Sequence, residues 1–268
     1  MRVMDLSRYD GEDRIISSIE MRKSFKHRKE HLFTAKSQLP TLDKWLEGFV
    51  PGELVAISGI TKNGKTLFSQ TLTKSFYNQQ VFSLWFTYEL PARQFLSCFP
   101  DMPLLFMPRI LKAANMNWLE ERIRESFLKH STRVVFIDHL HYLFDMARTR
   151  NVSLEIGTVI RRLKTFAVSN ELIIFLMCHT TKPGKDIGNM GFEGIRDSSV
   201  VAQESDVVLM VQRKPELGPD IARLGVEFSR RTGAMKQEVW LQKIGGYLRE
   251  TSPLEEPEPR RATYTGFR

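Results

Sequence analysis

Short runs of consecutive apolar residues alternate along the middle of the chain with longer segments whose apolar residues recur every three or four positions. Continuous apolar runs predict strands buried on both faces, whereas the longer periodicity predicts amphipathic helices. The main runs are residues 54–58, 81–87, 134–138 and 172–177, and predicted helices cover 118–128 and 154–168. This alternation predicts an α/β fold, a mostly parallel twisted sheet flanked by helices on both faces.

Further apolar segments extend the predicted sheet. A short one, residues 104–107, lies between two predicted helices, and three follow in the last quarter of the chain at 207–211, 224–228 and 239–241. We predict a strand at each of these segments. We find no internal repeat, and a length of 268 residues fits one large α/β domain with appendages.

The two ends of the chain differ from this pattern. Residues 14–31 form a predicted helix whose second half is densely basic; it is either a solvated helix or an amphipathic linker that docks on a neighbouring subunit. The polar, proline-rich end predicts disorder. We therefore divide the chain into an N-terminal extension with a linker helix (1–38), a central α/β domain (39–250) and a disordered tail (251–268).

Composition narrows the class of protein. A net charge of +8, from 39 basic and 31 acidic residues, favours a polyanionic partner. No apolar run approaches the roughly 18–20 residues of a membrane span, and the first residues resemble neither a signal nor a transit peptide. Cys98 and Cys178 lack metal-ligand spacing, which favours two buried thiols in a reducing compartment. We expect a cytoplasmic protein.

A phosphate-binding loop follows the first predicted strand. The sequence G-I-T-K-N-G-K-T matches the pattern G-x-x-x-x-G-K-[ST] and lies between a predicted strand and a predicted helix. Its backbone N–H groups and the helix N-terminus favour phosphate oxygens. Lys65 is expected to contact the β- and γ-phosphates and Thr66 to ligate Mg²⁺. The nucleoside triphosphate site thus comprises Gly59, Ile60, Thr61, Lys62, Asn63, Gly64, Lys65 and Thr66.

Polar side chains end three of the other predicted strands. Asp138, about seventy residues after the loop, is placed to hold Mg²⁺ directly or through water. Glu89 either orients and deprotonates the attacking water or favours a helix beginning near Pro91. His179 is either a sensor of the γ-phosphate or a histidine satisfied by backbone at a strand end.

Two further groups of residues bear on the chemistry of the site. Arg230 and Arg231, between two late strands, are either exposed hairpin charges or the source of an arginine that reaches the γ-phosphate of a neighbouring protomer. A metal site at Cys178 and His179, or at His139 and His141, is disfavoured because the sequence shows no cluster of three or four ligands.

Several motifs together resemble the ATPase domain of DnaB-family replicative hexameric helicases, including the phage and mitochondrial primase-helicases. The resemblance covers residues 39–248. One part is T-L-D followed by G-E-L ahead of the phosphate loop, which resembles the family's T-G-x-x-x-L-D and L-x-x-G-x-L segments. The others are F-T-Y-E-L at 86–90, F-I-D-H-L at 136–140, G-I-R-D-S at 194–198, Q-E-S-D-V at 203–207 and R-T-G at 231–233.

The resemblance implies a RecA-like P-loop NTPase fold and a role for each matching residue. Lys65, Glu89, Asp138, His179 and Arg231 would be catalytic, with Glu89 in the general-base position and His179 in the sensor position. Arg231 would be the arginine finger. The family has Lys two residues before its finger, where this chain has Ser229, so Arg230 and Arg231 both remain alternatives.

The resemblance also implies the partners. DNA would lie in the central channel of a homo-oligomeric, hexameric ring and contact Arg148 and Arg150 in one loop and Lys182 and Lys185 in another. A separate primase or loader is a further expected partner. The leading interpretation is an ATP-driven DNA helicase that translocates on single-stranded DNA. The alternatives are a recombinase-like or clock-type ATPase without unwinding activity and, disfavoured for lack of an acceptor lid, a small-molecule phosphotransferase.

Overall fold

A computed structural model describes residues 7, 9–11, 14–27, 33–145, 151–179 and 198–252 of the chain. It divides the chain into two units, residues 1–33 and 34–268. In the first unit, helix α1 (Ser18–His27) lies within the predicted segment 14–31. The hydroxyl of Ser17 accepts a hydrogen bond from the Glu20 backbone N–H at 3.1 Å, so it satisfies one free donor of the first turn.

The second unit contains an eight-stranded sheet in the order β2-β3-β4-β1-β5-β6-β7-β8. Its first five strands are parallel and the last three are added antiparallel. The strands are β1 (Leu54–Gly59), β2 (Ser83–Thr87), β3 (Val134–Asp138), β4 (Ile173–His179), β5 (Val207–Arg213), β6 (Ile221–Ser229), β7 (Met235–Ile244) and β8 (Tyr247–Glu250). The mostly parallel sheet predicted from the apolar runs is confirmed.

Helices cover both faces of the sheet. On one face, Phe76 from helix α3 packs against Phe175, which stacks on Phe136 with ring centroids 4.7 Å apart. The opposite face carries a second apolar cluster, which joins strand residues such as Val135 to α5 and α6. The helices of this unit are α2 (Pro40–Leu46), α3 (Lys65–Asn78), α4 (Ala92–Ser97), α5 (Met116–His130), α6 (Val152–Ser169) and α7 (Ser198–Glu204).

Three local details differ from the sequence prediction. Residues 104–107 do not form a strand; only an isolated bridge joins Phe106 to Leu84, where the apolar run is too short to add a ladder to the edge strand β2. Strand β8 was missed because its four residues, Y-L-R-E, form neither an apolar run nor an alternating pattern. Residues 34–38, assigned to the extension, lie in the second unit, where Ala35 pairs with Phe49.

Candidate nucleotide-binding and catalytic site

The phosphate-binding loop joins β1 to α3, as its sequence context predicted. Gly64 occupies the N-cap of α3 with φ of 92°, and Lys62 also has a positive φ of 68°. Gly59 ends β1 so close to β5 that an added Cβ would lie 2.4 Å from the Val211 carbonyl oxygen. The pattern's glycines are therefore required here by backbone conformation and by strand packing. No side chain caps α3 at Gly64, which leaves its first N–H groups to a ligand.

Lys65 begins α3 and its side chain folds back over the loop. Its ammonium donates to the carbonyl oxygens of Gly59 at 2.8 Å and Ile60 at 3.2 Å, and lies 3.0 Å from His179 Nδ1. Burial lowers the pKa of Lys65, while the nearby carboxylates of Asp138 and Glu89 oppose that shift. The ammonium is thus held in place above the loop, where a nucleotide phosphate would replace its carbonyl partners.

Thr66 and Asp138 meet where α3 begins and β3 ends. The Thr66 hydroxyl donates to Asp138 Oδ2 at 3.0 Å. The other carboxylate oxygen, Oδ1, is buried and has no hydrogen-bond partner among the described residues. Burial, and then repulsion from Glu89, raises the pKa of Asp138 to about 6. A buried carboxylate oxygen of this kind beside a hydroxyl fits Mg²⁺, which prefers oxygen ligands.

Glu89 lies just beyond β2, beside the end of β3. Its backbone N–H, like that of Tyr88, donates to the carbonyl oxygen of Asp138, at 3.3 and 2.8 Å respectively. Its carboxylate Oε2 lies 3.6 Å from His179 Nε2. Helix α4 has Pro91 at its N-cap and no side-chain cap, so Glu89 makes no capping hydrogen bond to it. The catalytic role of Glu89 stays a prediction.

His179 ends β4 between the lysine and the glutamate. Its Nδ1 is 3.0 Å from the Lys65 ammonium and 3.4 Å from the Thr61 hydroxyl, while its Nε2 faces Glu89. Burial and the Lys65 charge lower the pKa of His179, although Glu89 opposes them. A neutral imidazole in this position links the loop lysine to the carboxylate through its two nitrogens.

His139 also belongs to this group of residues, a position that its spacing in the sequence did not indicate. Its ring lies 4.2 Å from that of His179, centroid to centroid, in an edge-to-face arrangement. Burial, followed by the nearby His179 and His141, lowers the pKa of His139 to about 3. Ligand atoms of Glu89, His139 and His179 all lie within 4.8 Å of one another. The sequence showed no such cluster because these three residues are distant along the chain and come together only at the ends of three neighbouring strands, β2, β3 and β4.

Arg231 lies near the amino-terminal end of β1, whereas the phosphate loop of its own chain follows the carboxyl end of β1. Its guanidinium donates to Glu53 Oε1 at 2.9 Å, just before β1, and to Glu47 at 3.3 Å. It also donates to the carbonyl oxygens of Leu46 and Gly48 at 2.6 and 2.7 Å. Since β1 spans six residues, this group of five residues, the Arg231 clamp, is about 20 Å from the loop.

Arg230 is bound separately. Its side chain donates to the carbonyl oxygens of Ser205 and Gln203 at the end of α7, the bond to Ser205 being 2.8 Å long. In this chain both arginines therefore have partners within the subunit, and a finger role for Arg231 in a neighbouring site stays a prediction.

The four predicted DNA contacts lie outside the described residues. Arg148 and Arg150 fall between Asp145 and Asn151, and Lys182 and Lys185 fall between His179 and Ser198. In chain order, the first segment lies between β3 and α6 and the second follows β4.

Comparisons with known proteins point to one kind of relative. No protein-family model matches the chain. A curated relative, a probable plasmid replicative DNA helicase of Chlamydia psittaci, is 26% identical over 105 residues, which are 38% of this chain and 23% of the relative. The chain thus spans about a quarter of that relative's length.

Two solved structures share the fold over most of the chain. The ATPase domain of G40P superposes with a TM-score of 0.72 at 14% identity, over 87% of this chain and 97% of that one. A DnaB-like replicative helicase, solved in a study of its interactions with primase, gives 0.70 at 16% identity, over 89% and 68%. The chain therefore has the RecA-like fold of the ATPase domains of DnaB-like replicative helicases.

Proposed function

We propose that this protein is the ATP-hydrolysing motor of a replicative DNA helicase. The observation that carries this proposal is the convergence of Lys65, Thr66, Asp138, Glu89 and His179 at the carboxyl edge of a sheet with this fold. These groups supply a phosphate cradle, a metal position, a general base and a polar link between them. The partial sequence similarity to a plasmid replicative helicase supports the same function.

Each residue has a separate task in hydrolysis. The N–H groups of the loop and α3 bind the phosphates, and Lys65 exchanges its carbonyl partners for the β- and γ-phosphate oxygens. Thr66 and Asp138 would hold Mg²⁺, which would neutralise phosphate charge. A cation beside Asp138 would favour the ionised carboxylate and so oppose the burial that raises its pKa to about 6.

Glu89 is the group that accepts the proton of the attacking water. Its side chain is about one-third exposed, so water can reach the carboxylate. We infer that Glu89 orients a water and accepts its proton while the water oxygen bonds to the γ-phosphorus, the bond from that phosphorus to the β-phosphate oxygen breaks and the nucleoside diphosphate leaves. His179, in contact with both Lys65 and Glu89, is placed to respond to loss of the γ-phosphate and to alter the segment that follows β4.

Assembly and DNA binding complete the proposal. We infer a hexameric ring in which Arg148, Arg150, Lys182 and Lys185 contact single-stranded DNA in the channel and Arg231 completes the neighbouring site. A separate primase or loader assists it, in the cytoplasm of a bacterium or a phage-infected cell. Among the described residues, none of the helices combines the length and hydropathy needed to cross a bilayer.

Strand displacement on a forked duplex tests this function. We expect ATP hydrolysis stimulated by single-stranded DNA and coupled to displacement, both lost in Lys65→Ala. Glu89→Gln should bind nucleotide and DNA but lose roughly 10²–10⁴-fold in turnover, the contribution of a general base. The matched control is Lys74→Ala, on the same helix, where the lysine pairs with Asp101 away from the loop. DNA-stimulated hydrolysis without displacement would favour the recombinase-like or clock-type alternative.

A further inference from the structure

A second ligand set lies next to the Mg²⁺ position. Glu89, His139 and His179 offer one carboxylate oxygen and two imidazole nitrogens, all within 4.8 Å of one another. The preceding residue, Asp138, serves the Mg²⁺ position through its carboxylate. Consecutive residues at the end of β3 thus face two sites of different chemistry, one built from oxygen ligands and one rich in nitrogen.

The distances suit a small tetrahedral ion. Zinc bonds of about 2.0–2.1 Å to nitrogen and oxygen place neighbouring ligand atoms roughly 3.3 Å apart. The separation of Glu89 Oε2 and His179 Nε2 is already 3.6 Å. The largest separation in the set would have to close by no more than about 1.5 Å, the difference between 4.8 and 3.3 Å, which side-chain rotation can supply.

The ring nitrogens can be assigned consistently with such an ion. If His179 binds through Nε2, its ring hydrogen lies on Nδ1, where the Thr61 hydroxyl oxygen at 3.4 Å can accept it. The Lys65 ammonium, 3.0 Å from Nδ1, can then no longer donate to that nitrogen and has to turn away from it, while its two carbonyl partners in the loop still satisfy it. If His139 binds through Nε2, its ring hydrogen lies on Nδ1, where the Nδ1 of His141 at 3.3 Å can accept it. This tautomer replaces the long 3.4 Å contact from the His141 backbone N–H to the same nitrogen.

We propose that Glu89, His139 and His179 form a binding site for Zn²⁺ or a similar borderline-soft divalent ion, distinct from the Mg²⁺ position. Two nitrogens and one carboxylate oxygen match the ligand preference of zinc, whereas Mg²⁺ favours an all-oxygen shell. The negative charges of Glu89 and Asp138 favour a cation here and outnumber the single positive charge of Lys65. Three protein ligands leave a fourth tetrahedral position for water or a phosphate oxygen.

Occupation of this site has a consequence that rests on the proposed function. A Glu89 carboxylate bound to zinc no longer accepts a proton from water, and His179 is no longer free to contact Lys65. Zinc should therefore inhibit hydrolysis by about the contribution of the general base, roughly 100-fold or more.

Metal titration of the full-length protein, without nucleotide, tests the site directly. Calorimetry with Zn²⁺ alone, and visible absorption with Co²⁺ alone as a spectroscopic substitute, should show one equivalent per chain at micromolar metal. Loss of a residue that only hydrogen-bonds to a metal ligand weakens metal binding about 10–100-fold. We therefore expect at least that loss of Zn²⁺ affinity when a ligand itself is removed, in His139→Asn and in Glu89→Gln. His130→Ala is the control, since that ring stacks on Phe106 elsewhere in the domain. Circular dichroism of each variant checks that it is folded.

The outcomes separate the site from its effect on hydrolysis. No stoichiometric binding, or binding unchanged in both His139→Asn and Glu89→Gln, overturns the proposal. ATPase activity with and without Zn²⁺ is then compared within each protein, and the inhibition factor of His139→Asn should fall to a few-fold. Tight binding without inhibition would support the metal site and count against Glu89 as the general base.

Discussion

Replacing Arg231 by alanine should destabilise the subunit itself, apart from any effect on hydrolysis. Arg231 is the centre of the Arg231 clamp, and it pairs with Glu53, whose side chain is only 7% exposed. Without the guanidinium, the Glu53 carboxylate keeps a hydrogen bond from the Val50 N–H at 2.9 Å but loses its counter-charge. The helix α2 also loses a cation that binds carbonyl oxygens at its C-terminal end.

The magnitude follows from the burial of the two partners. Removing one partner of a fully buried pair costs about 3–5 kcal/mol. Arg231 is 31% exposed, so water replaces part of the interaction, and exposed pairs contribute only about 0–1 kcal/mol. We therefore expect a decrease of about 2–3 kcal/mol in the free energy of unfolding, equivalent to roughly 4–12 °C in Tm for a domain of this size.

Urea unfolding followed by circular dichroism measures this decrease. Arg230→Ala is the matched control, because its side chain binds only backbone carbonyls and leaves no carboxylate unpaired, for a decrease of about 1 kcal/mol. In a Glu53→Gln background, Arg231→Ala should cost markedly less, since the neutral amide needs no counter-charge. An Arg231→Ala protein within about 0.5 kcal/mol of wild type would show that the clamp is not formed in solution, and the reasoning would fail.

Three other predictions concern the site and the assembly. Neutralising Lys182 and Lys185 together should weaken binding to single strands of any sequence and reduce the salt dependence by about 0.7 slope unit for each phosphate that is no longer neutralised; an unchanged slope would place both lysines away from DNA. Mixing Arg231→Ala with Lys65→Ala protein should restore hydrolysis if Arg231 completes a neighbour's site, whereas no recovery in mixed rings verified by mass would remove it from catalysis. Burial raises the pKa of Asp138 from 3.8 to about 6, so between pH 3.8 and pH 6 its carboxyl is protonated in the folded state and ionised in the unfolded state. The free energy of unfolding therefore falls as the pH rises through this range. Metal-free Asp138→Asn should thus be more stable than wild type at pH 7.5 by about 1–3 kcal/mol and equal to it near pH 4; equal stability at both pH values would contradict the burial of this charge.

The elements that decide the fold could be predicted because their signals are local. The apolar runs at 54–58 and 134–138 coincide with β1 and β3, since a strand covered on both faces leaves no polar position. The phosphate loop could be located because its glycines satisfy local backbone requirements. Strand β8 carries no such signal, since it lies at the edge of the sheet and only Leu248 among its four residues is buried.

The site could be predicted only in part, because local signals identify single residues and not the residues they meet. Asp138, Glu89 and His179 each lie at or just beyond the end of a strand, so the strand order brings them together. The position of His139 depends on the course of the chain after β3, which no periodicity in the sequence encodes. The partners of Arg231 are also non-local, since Glu53 lies 178 residues earlier in the chain.

The strand order also determines where a signal from the nucleotide can travel. The groups of the site end four adjacent strands, β2, β3, β4 and β1, so their spread is about three inter-strand spacings, or roughly 14 Å. These strands are buried on both faces and pair with one another, so one strand end cannot shift far while its neighbours stay in place. The sheet thus acts as a fixed frame, and we expect a cleaved phosphate to change the contacts among Lys65, Glu89 and His179 rather than the positions of the strands that carry them.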